Sequence, residues 1–137
     1  CIRDRRYIMD TFYGNKPDAL SGNDDCGQMS AWYIFNTMGF YPTAPSSNVY
    51  NLGSPGLAAV DMKMSNGKHL RMTTGNWSAR NVFVKEVYLN GKKYDKSYIT
   101  YNDIKDGADL HFVMSSRPNY KRGVAERAVP PSVSEKR

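Results

Sequence analysis

The sequence predicts an α+β chain in which two helices lead into a small antiparallel β-module. Three observations carry this prediction. Apolar residues recur at helical spacing as far as Gly39, the period falls to two beyond Tyr41, and two dipeptides, Asn66-Gly67 and Asn90-Gly91, stand between alternating runs as hairpin turns do. The chain has 137 residues, 40% hydrophobic and 23% charged, which suits one soluble globular domain and excludes a disordered chain.

Taken in order, Ile2, Arg5, Arg6, Met9, Phe12 and Tyr13 recur on one helical face, and Gly14 follows where a helix commonly stops. The turn-rich "NKPDALSGN" predicts a loop. Cys26 to Met38 then reads as a second helix closed by Gly39. Its residues Met29, Ala31, Trp32, Tyr33, Ile34, Phe35 and Met38 leave almost no polar face, so this helix needs neighbours on several sides that the chain does not supply. That mismatch predicts the end of a longer protein.

From Tyr41, "YPTAPSS" and "NLGSPG" bring prolines and glycines, and strand-like alternation follows. "LAAVDMKM" and "HLRMTT" form one expected hairpin, "NVFVKEVYL" and "NGKKY" a second, and "ADLHFVMS" a last strong strand, giving five or more antiparallel strands. "SYITYNDI" reads as a strand leading into one helical turn. The expected boundaries are 1–42 for the helices and their loop, 43–119 for the β-module and 120–137 for a surface or disordered tail.

Lysine and arginine outnumber acids by 19 to 13, a net charge of +6. The basic residues form short scattered groups, including Arg3 with Arg5 and Arg6 and Lys92 with Lys93, and read as a solvated surface, not a nucleic-acid site. Cys1 and Cys26 have no metal-ligand spacing and build no disulfide framework. No stretch approaches the roughly 20 apolar residues of a membrane span.

Two adjacent aspartates, Asp24 and Asp25, precede the apolar helix after a Gly22-Asn23 turn. Asp25 at the N-cap with Gln28 three residues on fits a capping box, while Asp24 faces water. The alternative makes the pair a general base or cation site at the floor of a pocket, with Trp32 and Tyr33 offering flat apolar surface to a substrate. The pattern excludes an EF-hand. His69 and His111 fall in strand patterns and read as surface or cross-strand residues. Asn76-Trp77-Ser78 matches the glycosylation sequon, a triplet common by chance.

The segment "GNDDCGQMSAWYIFNTMGFYP", with "FYGNKPDALSGN" before it and "YNLGSP" after it, closely resembles the carboxyl-terminal region of glycoside hydrolase family 92, and the likeness runs from about Asp10 through Pro118. The family comprises calcium-dependent exo-α-mannosidases, mostly bacterial. The resemblance implies an inverting hydrolase with an amino-terminal β-sandwich and an (α/α) barrel whose last helices precede a β-rich tail. It implies Asp25 as the general base, with Asp24 beside it and Asn23 where some members carry a second acid. Trp32 is the candidate substrate contact. The general acid is expected from a glutamate outside this chain, since Glu86, Glu126 and Glu135 match no catalytic motif.

Calcium is the implied cofactor, with ligands mostly upstream, so no metal ligand is named. The implied substrates are mannose-containing glycans, α-1,2-linked above all, and the implied partner is the remainder of the parent polypeptide. The implied location is periplasmic or extracellular, and the fragment alone is expected to be inactive. A non-catalytic carbohydrate-binding or interaction module is the competing expectation, with Trp77 as its best support.

Overall fold

The computed structural model describes residues 2–44 and 46–132. Two helices come first: α1 (Ile2–Phe12) and α2 (Gln28–Thr37). They are followed by β1 (Phe40–Tyr41), β2 (Val49–Leu52), β3 (Ala59–Lys63), β4 (His69–Gly75), β5 (Phe83–Leu89), β6 (Lys92–Lys93) and β7 (Tyr98–Thr100). A single-turn helix, α3 (Tyr101–Ile104), a last strand, β8 (Ala108–Ser115), and a 3₁₀ turn (Glu126–Ala128) complete the order. The α+β class predicted from periodicity is the observed one.

The two Asn-Gly hairpins form as expected. β3 pairs antiparallel with β4 across Gly67, and β5 pairs with β6 across Asn90-Gly91, both of which have positive φ, at 50° and 75°. "SYITYNDI" is indeed a strand that runs into one helical turn: Thr100 caps α3, and the Asp103 carboxylate accepts hydrogen bonds from the Thr100 amide and hydroxyl, both at 2.7 Å.

The expected all-antiparallel module is not what forms. The larger sheet has the order β3-β4-β8-β5-β6, and β4 and β8 run parallel from Leu70↔Ala108 to Gly75↔Val113. The reason is topological. Between β4 and β8 the chain makes a hairpin, a strand of the other sheet and α3, and so returns to the end of the sheet from which β4 started. The smaller sheet, β1-β2-β7, is antiparallel throughout.

Alternation in β8 sends Ala108, Leu110, Phe112 and Met114 inward, where they meet Leu70 and Met72 of β4 and Val84 and Val87 of β5. Each such burial of a valine, leucine, methionine or phenylalanine stabilises the fold by roughly 1.5–3 kcal/mol. Met38 and Phe40 belong to the same core, together with Ile99 and Ile104. The end of α2 is therefore built into the β-structure and cannot move independently of it.

Gly39 makes this junction possible. Its φ of 88° ends α2, its amide donates to the Asn36 carbonyl at 3.0 Å, and a Cβ there would lie 3.0 Å from the Phe112 ring. Within the last turn, Asn36 Nδ2 donates to the Trp32 carbonyl at 2.7 Å and Thr37 Oγ1 to the Tyr33 carbonyl at 2.6 Å, so two buried polar residues bond back to their own helix, while Asn36 Oδ1 is buried without a partner.

The basic group on α1 departs from the solvated surface expected of it. Arg6 is only 6% exposed; its Nη1 donates to the Pro55 carbonyl, and its Nε stands 3.6 Å from Asp10. The Arg5 guanidinium lies against Gly53, where the space it occupies leaves no room for a Cβ. Burial lowers the Arg5 pKa. These two side chains fasten α1 to the turn after β2.

In the tail, Ala128 is buried and its carbonyl accepts hydrogen bonds from the Ser97 amide and hydroxyl, both at 2.8 Å. The final stretch 133–137 and Cys1 lie outside the described residues.

Replacing Gly39 by alanine forces a left-handed backbone on a residue with a Cβ and pushes that Cβ into Phe112. The expected cost is about 1–3 kcal/mol, read as a lower midpoint in denaturant unfolding. An unchanged midpoint would show that the junction is not tightly packed.

Candidate active site

The loop before α2 adopts an unusual backbone. Asp25, Cys26 and Gly27 are consecutive left-handed residues with φ of 43°, 61° and 88°. For the two that carry a Cβ, this conformation costs roughly 1–2 kcal/mol each, so neighbouring contacts must hold it.

Those contacts come from the first turn of α2, all of whose amides are engaged. Gln28 donates to the Asp25 carbonyl at 3.3 Å, Met29 to the Asp24 carbonyl at 3.3 Å and Ala31 to the Gly27 carbonyl at 2.9 Å. The Ser30 amide donates to Asp24 Oδ1, and the Ser30 hydroxyl donates to Asp24 Oδ2, each at 2.9 Å.

This arrangement reverses the expected roles of the two aspartates. The capping box of Asp25 with Gln28 does not form: the N-cap is Gly27, with no side-chain cap. Asp24, expected to face water, is the residue whose carboxylate engages the helix start. The left-handed run inserts three residues between Asp24 and α2 and curls the chain back so that the earlier aspartate reaches the amides. Ser30's amide and hydroxyl, with the Met29 amide, hold the Asp24 carboxyl below its usual pKa.

Asp25 is exposed, and among the described residues its carboxylate has no hydrogen-bond partner. Asn23 is exposed on the same loop. Cys26 is an exposed free thiol. Trp32, the expected substrate contact, is half-buried, and one face of its ring is stacked on Tyr13 at 5.4 Å and 14°. Tyr13 also stacks on Tyr33 at 4.9 Å, and burial followed by the nearby Asp24 charge pushes its phenol pKa up.

Beside this cluster lies an open hollow of about 470 Å³, lined by Tyr13, Asn15, Leu20, Ser30, Tyr33 and Ile34 among others. Ser30 thus borders the hollow while holding Asp24. Asp25 lies outside that lining. The helical surface next to it is apolar and uncovered: Ile34 is 56% and Tyr7 61% exposed, with Phe12 and Tyr33 also open to solvent.

The remaining candidates lie elsewhere. His69 Nδ1 is 2.5 Å from Asp61 Oδ1, and His111 Nδ1 is 2.7 Å from Thr73 Oγ1, both cross-strand contacts as expected. Glu86 accepts the Tyr88 hydroxyl at 2.7 Å and pairs with Lys93 at 3.8 Å. Glu126 stands in a short 3₁₀ turn, Glu126–Ala128, and Glu135 lies outside the described residues. Among the described residues no three His, Cys, Asp or Glu side chains converge as a metal-binding group. No described helix is long and apolar enough to cross a membrane.

Sequence reasoning missed Ser30 and Tyr13. Ser30 stands six residues after Asp24, a spacing that no capping pattern contains, because the left-handed run is not visible in residue types. Tyr13, which the sequence pattern puts at the end of a helix face, lies just past α1 and stacks on Trp32.

The profile described as "Glycosyl hydrolase family 92 catalytic domain" matches residues 3–116. The chain is 66% identical to the family GH92 α-mannosidase BT3965 from Bacteroides thetaiotaomicron, whose structure is known with mannoimidazole, with a TM-score of 0.94 over 98% of this chain and 18% of that one. It is 33% identical to the family GH92 inverting mannosidase BT2199 from the same species, with a TM-score of 0.88 over 97% of this chain and 18% of that one. An uncharacterized secreted glycosidase from Arthroderma benhamiae is 30% identical over 96% of this chain, which spans 17% of that protein. The chain therefore covers less than a fifth of these relatives' lengths.

Because the Asp24 pKa is lower in the folded state than in the unfolded one, its stabilising contribution is complete above the unfolded value of about 3.9 and is lost as pH falls through the folded value. Asp24→Asn is expected to lower the melting temperature at neutral pH. The gap from the parent should close below about pH 4 as the parent's own carboxylate is protonated. A gap that is constant with pH would remove the charge from the account of this loop.

Proposed function

The chain belongs to glycosyl hydrolase family 92, and from that premise we propose that it is the carboxyl-terminal portion of an inverting exo-α-mannosidase that hydrolyses terminal α-mannosides of glycans. The observation that carries the reading is the 66% identity and 0.94 TM-score with an α-mannosidase across almost the whole chain, catalytic-loop candidate included. Inversion is taken from the relative that is named an inverting mannosidase. The α-1,2 linkage, the calcium requirement and a periplasmic or extracellular location come from the family resemblance, the last in keeping with the secreted relative.

In this reading Asp25 is the general base. Water attacks the anomeric carbon on the face opposite the departing sugar, and the Asp25 carboxylate takes its proton as the C–O bond forms. A carboxylate with no internal partner is free to accept that proton, which the Asp24 carboxylate, engaged at both oxygens by Ser30, is less suited to do. Asp24 holds the loop. The uncovered apolar face of α1 and α2 is where the preceding polypeptide packs, and that polypeptide supplies the acid, at roughly 6.5–9.5 Å from the base in an inverting enzyme. It also supplies the calcium ligands. The isolated chain has one carboxylate of the two and is inactive.

Trp77, at 46% exposure just beyond β4, is the feature that favours a separate glycan-binding module. That reading is the weaker one, because the core of the β-structure takes Met38 and Phe40 from the helical side and is not a self-contained unit.

Asp25→Asn in the complete enzyme keeps the side chain's size and suits a left-handed backbone, but an amide cannot accept the water's proton. Turnover of an aryl α-mannoside is expected to fall by about 10²–10⁴-fold with the melting temperature unchanged, since Asp25 caps nothing. Near-normal turnover would remove Asp25 from the role of base.

A further inference from the structure

Resting on the reading of Asp25 as base, we infer that Ser30 is a positioning residue for it: the amide and hydroxyl of Ser30 close on the two oxygens of Asp24 and so hold the left-handed turn that presents Asp25.

A helix start needs only one acceptor for the Ser30 amide, and Asp24 Oδ1 provides it at 2.9 Å. The second bond, from the Ser30 hydroxyl to Oδ2 at 2.9 Å, is not required for capping. It does something different. With each carboxylate oxygen tied to a different atom of one residue, the Asp24 carboxylate cannot rotate about its own bond, and the backbone that carries it is located relative to α2. The residues that follow, Asp25 at φ 43° and Cys26 at φ 61°, are in a conformation that residues with a Cβ leave when they are free to. Release of the hydroxyl bond lets that turn relax, and the first side chain displaced is Asp25.

Ser30 is suited to the task by its place in the fold. It sits in the first turn of α2, whose far end is locked into the core through Met38 and Phe40, so the anchor point is rigid. Misplacement of a catalytic group by about 1 Å can cost on the order of 10²-fold in rate. A base that is out of place lowers turnover and leaves ground-state binding of the sugar alone, so the effect belongs in kcat and not in KM.

The test compares Ser30→Thr and Ser30→Val in the complete enzyme, two side chains of one shape that differ in the hydroxyl, on an aryl α-mannoside. Ser30→Thr is expected to stay within about threefold of the parent kcat, and Ser30→Val to lose at least about tenfold in kcat with KM within about threefold. Ser30→Ala repeats the measurement if the valine variant does not fold. The inference is overturned by equal kcat for threonine and valine, by a threonine variant as impaired as the valine one, or by a loss confined to KM, which would make Ser30 a substrate contact through the hollow it borders. The underlying reading is judged separately: Asp25→Asn with intact turnover removes the base itself, whereas a silenced Asp25→Asn beside an active Ser30→Val removes only the role of Ser30.

Discussion

Phe112 beneath Gly39 is the contact on which the rest of the molecule turns. Phe112 comes from the middle of β8, the central strand of the larger sheet, and is fully buried. Gly39 is the residue at which α2 ends, and its missing side chain is what lets the helix terminus reach the ring. Through this one approach the sheet fixes where α2 stops and in which direction it points. The two aspartates lie at the opposite end of the same helix, about 10 residues or 15 Å away by helical rise, so the β-structure that fixes one end of the helix also determines where they are.

The two ends of α2 are secured by different physics. At its end, burial dominates: Met38, Phe40 and Phe112 are in contact with other apolar groups and need no polar partner. At its start, no apolar core covers the loop, and the amides of the first turn are satisfied by carbonyls and by one carboxylate. The first arrangement is insensitive to pH and salt; the second depends on a charge. A site built on the second inherits rigidity from the first while keeping a solvent-facing carboxylate, Asp25, within its loop.

How much of this could be read from residue order follows from how local each signal is. Both Asn-Gly hairpins, the strand-to-helix step at Thr100 and the two helices were legible, because each rests on residues within a few positions of one another. The parallel pairing of β4 and β8 was not, since a strand's alternation says which face is buried and nothing about which distant strand lies beside it. Arg6 looked like surface because its partner, the Pro55 carbonyl, is 49 positions away in sequence. The exchange of roles between Asp24 and Asp25 has a subtler cause. Capping patterns assume an extended residue at the N-cap, and neither aspartate nor cysteine announces a left-handed run, so counting three residues forward from Asp25 led to the wrong side chain.

The uncovered face of the helical pair completes the physical picture. Tyr33 and Ile34, which line the same hollow as Ser30, lie open to solvent, as do Tyr7 and Phe12 on α1, whereas the apolar residues around Phe112 are buried in one core. An apolar surface of this kind is unfavourable in water and favourable only when covered, and a polar loop at its edge gains from the same event. Covering such a face would exclude water beside Asp24 and strengthen the two hydrogen bonds that Ser30 donates to it, because charges interact more strongly where the dielectric is low. The loop's left-handed turn, its two aspartates and its serine thus stand beside an apolar helical surface, Tyr33 and Ile34, that is open in this chain.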